Sequence, residues 1–213
     1  MKRRAKSRKK SKFLSVFYRF LTPALVACLA AVYLSQPQGS VFSSISSFIP
    51  SFFSSPSPVP SSAAFEVGFS PRGKSLNIIL NGIKRAEESV IVAAYSFTSK
   101  PISTALLEAH KRGINVRVVA DAKSNSGQYS AVTFLANQGV PVRVNDRYAI
   151  FHHKFMVFDG RHVQTGSFNY SAAAVDRNSE NVLLLMNVPE IAGIYSQEWQ
   201  RLWNESKEVK PNY

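Results

Sequence analysis

The chain has 213 residues, of which 45% are hydrophobic and 18% charged, with 26 Lys and Arg against 13 Asp and Glu for a formal net charge of +13. That length admits one ordinary domain plus an appendage and excludes a multidomain assembly. The one cysteine, Cys28, lies near the N-terminus, which excludes a disulfide or a Cys-ligated zinc from the rest of the chain.

No acidic residue precedes Glu66, whereas eight Lys or Arg lie between Lys2 and Lys12 and Arg19 makes nine. Taking those nine from 26 leaves 17 basic against 13 acidic residues over Phe65 to Tyr213, so the domain carries only about +4. A high positive charge spread over a domain would suggest a polyanion ligand, but a basic leader points to membrane targeting. The mildly basic domain is compatible with DNA without establishing it.

Residues 1–34 form that leader. Basic residues followed by the largely apolar Phe13 to Leu34 give the order of an export signal. Phe20 to Leu34 is uncharged over 15 residues, between the length of a signal core and the roughly 20 residues that span a bilayer. Adding Phe13 to Phe20 reaches spanning length if Arg19 snorkels to the surface. A cleaved signal peptide and a retained anchor both fit, and either puts the following domain outside the cytoplasm, in the periplasm or held at the inner membrane. Leu25 to Cys28 also resembles a lipoprotein processing box, but the apolar run continues to Leu34 and fits that poorly. Residues 35–64 form a linker: Ser35 to Ser62 holds twelve Ser and five Pro with no sustained period.

From residue 65 to 213 the pattern is that of a folded domain. Leu76, Ile79, Leu80 and Ile83 follow helical spacing within Lys74 to Glu88, and Val90 to Tyr95 reads as a buried strand. Pro101 opens a helix through Ala109 that Gly113 closes. Asn115 to Ala120 is a strand, Tyr129 to Asn137 a helix, and Val142 to Asn145 a strand. The alternation implies crossover connections and a largely parallel sheet with helices on its faces. His152 to Phe158, a turn at Asp159 and Gly160, and His162 to Thr165 read as a hairpin. Asn181 to Met186 supplies another strand and Glu190 to Trp203 a closing helix, in which Trp199 and Trp203 serve packing.

The hairpin carries the chemistry. From Phe151 the chain reads FHHKFMVFDGRHVQTGSFN, which sets His152, Lys154, Asp159, Gly166, Ser167 and Asn169 in the spacing H-x-K-x4-D-x6-G-S-x-N. Six fixed positions arise by chance at on the order of 10⁻⁸ of start positions. Alternation along a strand projects His152 and Lys154 together and His153 away. An imidazole beside an ammonium is a nucleophile next to an anion anchor, and the Gly166, Ser167, Asn169 run adds a tight turn, a hydroxyl and an amide suited to phosphate oxygens. His110 and His162 have no such context. Lys123, Arg147, Arg161 and Arg177 are placed in loops near the site, where they could follow a nucleic-acid backbone.

With AYSFT at Ala94 to Thr98, KRG at Lys111 to Gly113, NSEN at Asn178 to Asn181 and EWQRLWN at Glu198 to Asn204, the spacing resembles the HKD motif of the phospholipase D superfamily. Within it, residues from about Phe65 onward resemble the Nuc-like bacterial endonucleases. The resemblance implies an α/β fold, an α/β/α sandwich with a mixed, largely parallel sheet and one HKD motif per chain. It implies a catalytic set of His152, Lys154, Asp159 and Glu180, in which Asp159 is the structural member that fixes the turn and Glu180 orients the imidazole. Lys154, Ser167 and Asn169 would bind substrate, with no metal and no cofactor. The implied mechanism passes through a phosphohistidine and needs two histidines, one neutral and one protonated, whereas the chain has one motif. A homodimer sharing one site on its two-fold axis would supply both. The implied activity is a metal-independent, nonspecific endonuclease acting on DNA, with RNA as a second candidate substrate. A phospholipase D acting on phosphatidyl head groups or cardiolipin uses the same chemistry, and a noncatalytic nucleic-acid-binding module is the reading from another class.

Overall fold

The computed structural model describes residues 62–127 and 130–212. The leader, Cys28 and the linker up to residue 61 lie outside them. Eight strands form one sheet: β1 (Ala64–Ser70), β2 (Ser89–Ala94), β3 (Asn115–Asp121), β4 (Val142–Asn145), β5 (Lys154–Phe158), β6 (His162–Gly166), β7 (Glu180–Met186) and β8 (Lys207–Glu208). Five helices join them: α1 (Ser75–Arg85), α2 (Lys100–Lys111), α3 (Ala131–Asn137), α4 (Ala172–Asp176) and α5 (Pro189–Asn204).

The spatial order is β1-β7-β6-β5-β2-β3-β4-β8. Only β2-β3 and β3-β4 pair in parallel; the other five neighbours are antiparallel. The sheet is therefore mixed as expected, with its parallel part confined to the three strands joined by the α2 and α3 crossovers. The β5-β6 hairpin and the returns of β7, β1 and β8 supply the antiparallel remainder. Helix-strand alternation covers only residues 75 to 145, and a parallel pair needs such a crossover.

Strand alternation sorts the core into two layers. On one face Val90, Val92, Val116, Val118, Met156 and Phe158 pack with Ile79 and Ile83 of α1, Ile102 and Leu106 of α2, and Leu135 of α3. On the other, Ile91, Ala93, Val119, Phe155 and Val157 meet Ala192, Trp199 and Leu202 of α5. This is the expected sandwich, and each fully buried Ile, Leu or Phe contributes about 1.5–3 kcal/mol. Trp199 stacks on Trp203 at 5.0 Å and donates its indole N–H to the Val92 carbonyl at 2.8 Å, in accord with packing.

Three elements were not legible in the residue pattern: β1, α4 and β8. In β1 the apolar alternation points the wrong way for a core. Phe65 and Phe69 are 70% and 65% exposed, while the inward positions are Glu66, Gly68 and Ser70. Only pairing with β7, from Ala64 opposite Met186 to Ser70 opposite Glu180, makes the segment a strand.

Asp159 and Gly160 adopt left-handed φ values of 53° and 63° in the predicted two-residue turn. The Asp159 carboxylate accepts backbone N–H bonds from Glu87, Glu88 and Ser89, the nearest at 2.8 Å, and so ties the hairpin to the start of β2. Burial would raise this carboxyl, but the Ser89, Glu88 and Glu87 amides outweigh it and hold it below the ordinary value of 3.8. The folded state therefore binds this proton more weakly than the unfolded chain. The stabilisation is present above the ordinary carboxylate value and disappears as pH falls through the depressed one. Asp159→Asn, which suits a left-handed turn yet lacks the charge, is expected to cost about 1–3 kcal/mol at neutral pH. Chemical denaturation should show that loss shrinking below about pH 4.

Candidate active site

The carboxyl ends of β2, β3 and β6 and the amino ends of β5 and β7 all lie at one end of the sheet, because Ala94 pairs with Lys154, Gly166 with Val182 and Ser70 with Glu180. Open α/β sheets bind ligands at the carboxyl ends of their parallel strands. Five of the six expected residues come together there: His152, Lys154, Ser167, Asn169 and Glu180. The sixth does not. Asp159 is at the opposite end of β5, five residues beyond Lys154 and so about 16 Å away along the strand. It is the turn anchor that the resemblance implies, its carboxylate occupied by the three β2-side amides and so kept away from the other members of the set.

His152 lies just ahead of β5, exposed, with its ring edge-to-face against Tyr95 at 4.7 Å between centroids. Lys154 is 8% exposed, donates from Nζ to the His152 carbonyl at 3.1 Å, and sits 5.1 Å from the Tyr95 ring centroid. Burial pushes this ammonium below the ordinary lysine value, with Glu180 pulling the other way. An ammonium in so dry a position is suited to an anion. His153 faces away as expected, edge-to-face with Phe151 and Phe155, and its burial lowers its basicity.

The Gly-Ser-x-Asn turn closes the other side. Phe168 and Tyr170 are fully buried, so Asn169 between them is fixed in place. Tyr170 also accepts from the amides of Thr98 and Ser99, both at 2.8 Å, which locks this turn to the loop after β2. Ser167 Oγ donates to Glu180 Oε2 at 2.5 Å and accepts from the Asn181 amide at 3.0 Å; Asn178 Nδ2 donates to Glu180 Oε1 at 2.9 Å. Glu180 has no hydrogen bond to His152 of its own chain among the described residues, so the expected orientation of that imidazole is not made within one chain. Asn169 Oδ1 is buried without a hydrogen-bond partner. Most buried polar atoms are paired, so this orphan makes Asn169 a candidate ligand contact; rotation of the amide would offer Nδ2 donors to the same point.

Two positioning residues escaped the sequence reading. Asp121, 3% exposed at the end of β3, accepts from the Phe151 amide at 2.9 Å and the Ser124 amide at 2.7 Å, clamping the residue before His152. Burial would raise its carboxyl, but those donors outweigh burial and hold it low. Asn125 donates to the carbonyls of Tyr95 and Asp121 and accepts from the Phe97 amide, joining the ends of β2 and β3. Neither residue stands in a recognisable spacing; their role exists only because distant strand ends meet.

Of the four loop cations, Lys123, Arg147 and Arg177 are at the site end. Arg161 is not: it is in the hairpin turn at the far end, 3.3 Å from Glu88. The turn that should have revealed this lies opposite the site on the same hairpin. His162 serves the scaffold, accepting from the Asn187 amide at 2.9 Å. Among the described residues no group of three or more His, Cys, Asp and Glu is arranged to hold a metal ion.

Residues 79–203 match the model of the cardiolipin synthase, PLD-like domain family, which covers more than half of the chain. The chain belongs to the phospholipase D superfamily. A solved structure of Nuc, a phospholipase D family member from Salmonella typhimurium, is 37% identical with a TM-score of 0.68, covering 70% of this chain and 99% of that one. NucT from Helicobacter pylori is 26% identical with a TM-score of 0.63. Among curated relatives, a phospholipase D of Rickettsia felis is 37% identical over 131 residues, 62% of this chain and 65% of that protein. A mitochondrial cardiolipin hydrolase of Chlamydomonas reinhardtii is 32% identical over 133 residues, 62% and 59%. The chain thus spans slightly less than two thirds of the length of these curated relatives. Its mixed α/β fold matches that of Nuc.

Gly166 shows how tightly the site is built. It has φ 150°, and an added Cβ would lie 2.2 Å from the Asn181 carbonyl oxygen, backbone that cannot swing aside. Gly166→Ala is expected to separate β6 from β7 next to Ser167 and Glu180. Activity should fall by at least about 10²-fold, and thermal unfolding should show a destabilisation of about 1–3 kcal/mol.

Proposed function

We propose that the protein is an exported, metal-independent, nonspecific endonuclease that hydrolyses DNA through a phosphohistidine, in a site completed by a second copy of the chain. One observation carries the reading: His152, the buried Lys154 and the orphaned amide oxygen of Asn169 converge at one end of the sheet. In the first step a neutral His152 nitrogen attacks phosphorus while a protonated second imidazole gives its proton to the leaving alcohol oxygen, leaving phosphate covalently on His152. In the second step the same imidazole takes a proton from water as its oxygen attacks phosphorus, and His152 departs. Lys154 and Asn169 would hold the nonbridging oxygens, with Ser167 fixed between the Asn181 amide and Glu180.

A single chain has only one motif, so the second imidazole must come from another. An uncovered apolar face supports this. Helix α5 reaches β2, β5 and β6, and leaves Phe65, Val67 and Phe69 of β1 exposed on the edge of the sheet. Phe69 pairs with Asn181, which binds Ser167, so this face is continuous with the site. A second copy seated there would bring two His152 side chains towards one axis and give Glu180 an imidazole to orient.

Nucleic acid is favoured as substrate by the near-complete coverage of Nuc and by Lys123, Arg147 and Arg177 around the site. Export is favoured by the basic-then-apolar leader, with cleavage or anchoring both open. A phospholipase D acting on phosphatidyl head groups or cardiolipin is the second reading, favoured by the names of the Rickettsia and Chlamydomonas relatives. Parallel assays on plasmid and on phosphatidylcholine and cardiolipin vesicles distinguish them; turnover of lipid alone would overturn the nuclease.

His152→Ala is expected to lower plasmid nicking by at least about 10³-fold while DNA binding persists, and wild type denatured in alkaline detergent should carry phosphate on His152 that acid treatment then removes. Activity should survive EDTA; its complete loss there would contradict the mechanism. Phe65→Glu combined with Phe69→Glu should sediment as a folded monomer without nuclease activity, and an active monomer would end the shared-site reading.

A further inference from the structure

Between β1 and α1 the chain makes a tight bend, Ser70-Pro71-Arg72-Gly73-Lys74-Ser75, at the same end of the sheet as His152. Ser70 is directly opposite Glu180 in the β1-β7 register, so the bend borders the Ser167-Glu180 pair. An added Cβ at Gly73 would meet the Phe69 carbonyl oxygen at 1.8 Å, so the backbone folds onto itself with no room for a side chain. Arg72 holds a left-handed φ of 64°.

Helix α1 begins here without the usual compensation. Its N-cap is Lys74, no side chain caps it, and its first turn has no acid. The Ile78 amide is the first to reach a helical carbonyl, that of Lys74 at 3.0 Å, so the amides of the first turn lack intrahelical acceptors. Arg72 and Lys74 are exposed and enter no ion pair among the described residues. Two cations at the positive end of a helix dipole oppose folding unless an anion joins them.

A separate feature points to that anion. Ser70 and Ser75 are 7% and 1% exposed, and neither hydroxyl oxygen has a hydrogen-bond partner. Ser70 shares the strand face of Gly68, and a Cβ on Gly68 would be 2.9 Å from the Ser75 amide nitrogen. The start of the helix is thus packed onto the strand face that carries Ser70, with one unpartnered hydroxyl at each end of the bend.

We propose that this bend is a second phosphate-binding subsite, holding the phosphate adjacent to the scissile one in a polynucleotide. It deepens the reading of the His152 site as a phosphodiester site and rests on it. Arg72 and Lys74 are exposed as they stand, and the Ser70 and Ser75 hydroxyls have no competing partner. A polynucleotide has a phosphate at every residue, so occupation of the His152 site delivers a neighbour to the bend.

The test uses the full-length chain. Binding of a single-stranded DNA oligonucleotide to the His152→Ala protein is measured by fluorescence anisotropy across a salt series, with and without Arg72→Ala/Lys74→Ala. The double substitution should weaken binding about tenfold near 0.1 M salt and flatten the salt dependence. Ser75→Ala should weaken binding about threefold without lowering Tm, whereas a merely structural hydroxyl would alter Tm and leave affinity alone. In the active protein the double substitution should raise KM for the oligonucleotide but change hydrolysis of bis(4-nitrophenyl) phosphate, which has one phosphate, by less than about twofold. Unchanged DNA affinity, equal losses on both substrates, or a loss confined to cardiolipin vesicles would overturn the subsite. Wild type that cleaves none of these substrates, yet binds DNA through Arg72 and Lys74, would sink the catalytic reading and leave the subsite standing.

Discussion

The Asp121 carboxylate is the constraint on which the site depends. It stands at the end of β3, buried, and holds the Phe151 amide on one oxygen and the Ser124 amide on the other. Phe151 is itself buried against the α5 side of the sheet, so the residue preceding His152 is fixed by a charged hydrogen bond and by packing. Hydrogen bonds to a buried charge are among the stronger contacts available to a fold. Asn125 extends the clamp to Tyr95, whose ring meets both His152 and Lys154. The exposed imidazole thus rests on a network whose members come from three separate strand ends.

Around that clamp the sheet has a functional division of labour. One end gathers His152, Lys154, Ser167, Asn169 and Glu180. The other holds the Asp159 turn with its three amide bonds and the Arg161-Glu88 pair. The HKD spacing therefore runs the length of β5 and β6. Its histidine and lysine start the hairpin at the site, its aspartate turns the chain at the far end, and its Gly-Ser-x-Asn returns to the site beside the starting point. A spacing that looks like a list of catalytic groups is, in space, a hairpin with chemistry at its open end and an anchor at its closed end.

Much of this was legible because it is local. Period-2 alternation placed His152 with Lys154 and turned His153 away, and the structure has His153 between Phe151 and Phe155. Apolar spacing located α1, α2, α3 and α5 because their buried faces follow the helical repeat. The β1 strand was hidden, since Phe65, Val67 and Phe69 point outward and its identity comes from pairing with β7. The extent of parallel pairing was also hidden: alternation of elements says that a crossover exists, not which strand will lie beside which. Arg161 was misplaced for the same reason, because a loop residue near the motif in sequence can be a strand's length from it in space.

The sequence by itself determined the superfamily and which groups share one face of the hairpin, because side-chain identity and the two-residue repeat of a strand are local. Only the tertiary structure decided which backbone amides hold Asp159, that Asp121 and Asn125 support the site, and that Glu180 meets Ser167 and not the imidazole of its own chain. Those facts depend on which strand ends are adjacent, and adjacency follows from the packing of two apolar layers across the whole sheet, which no short window of residues contains.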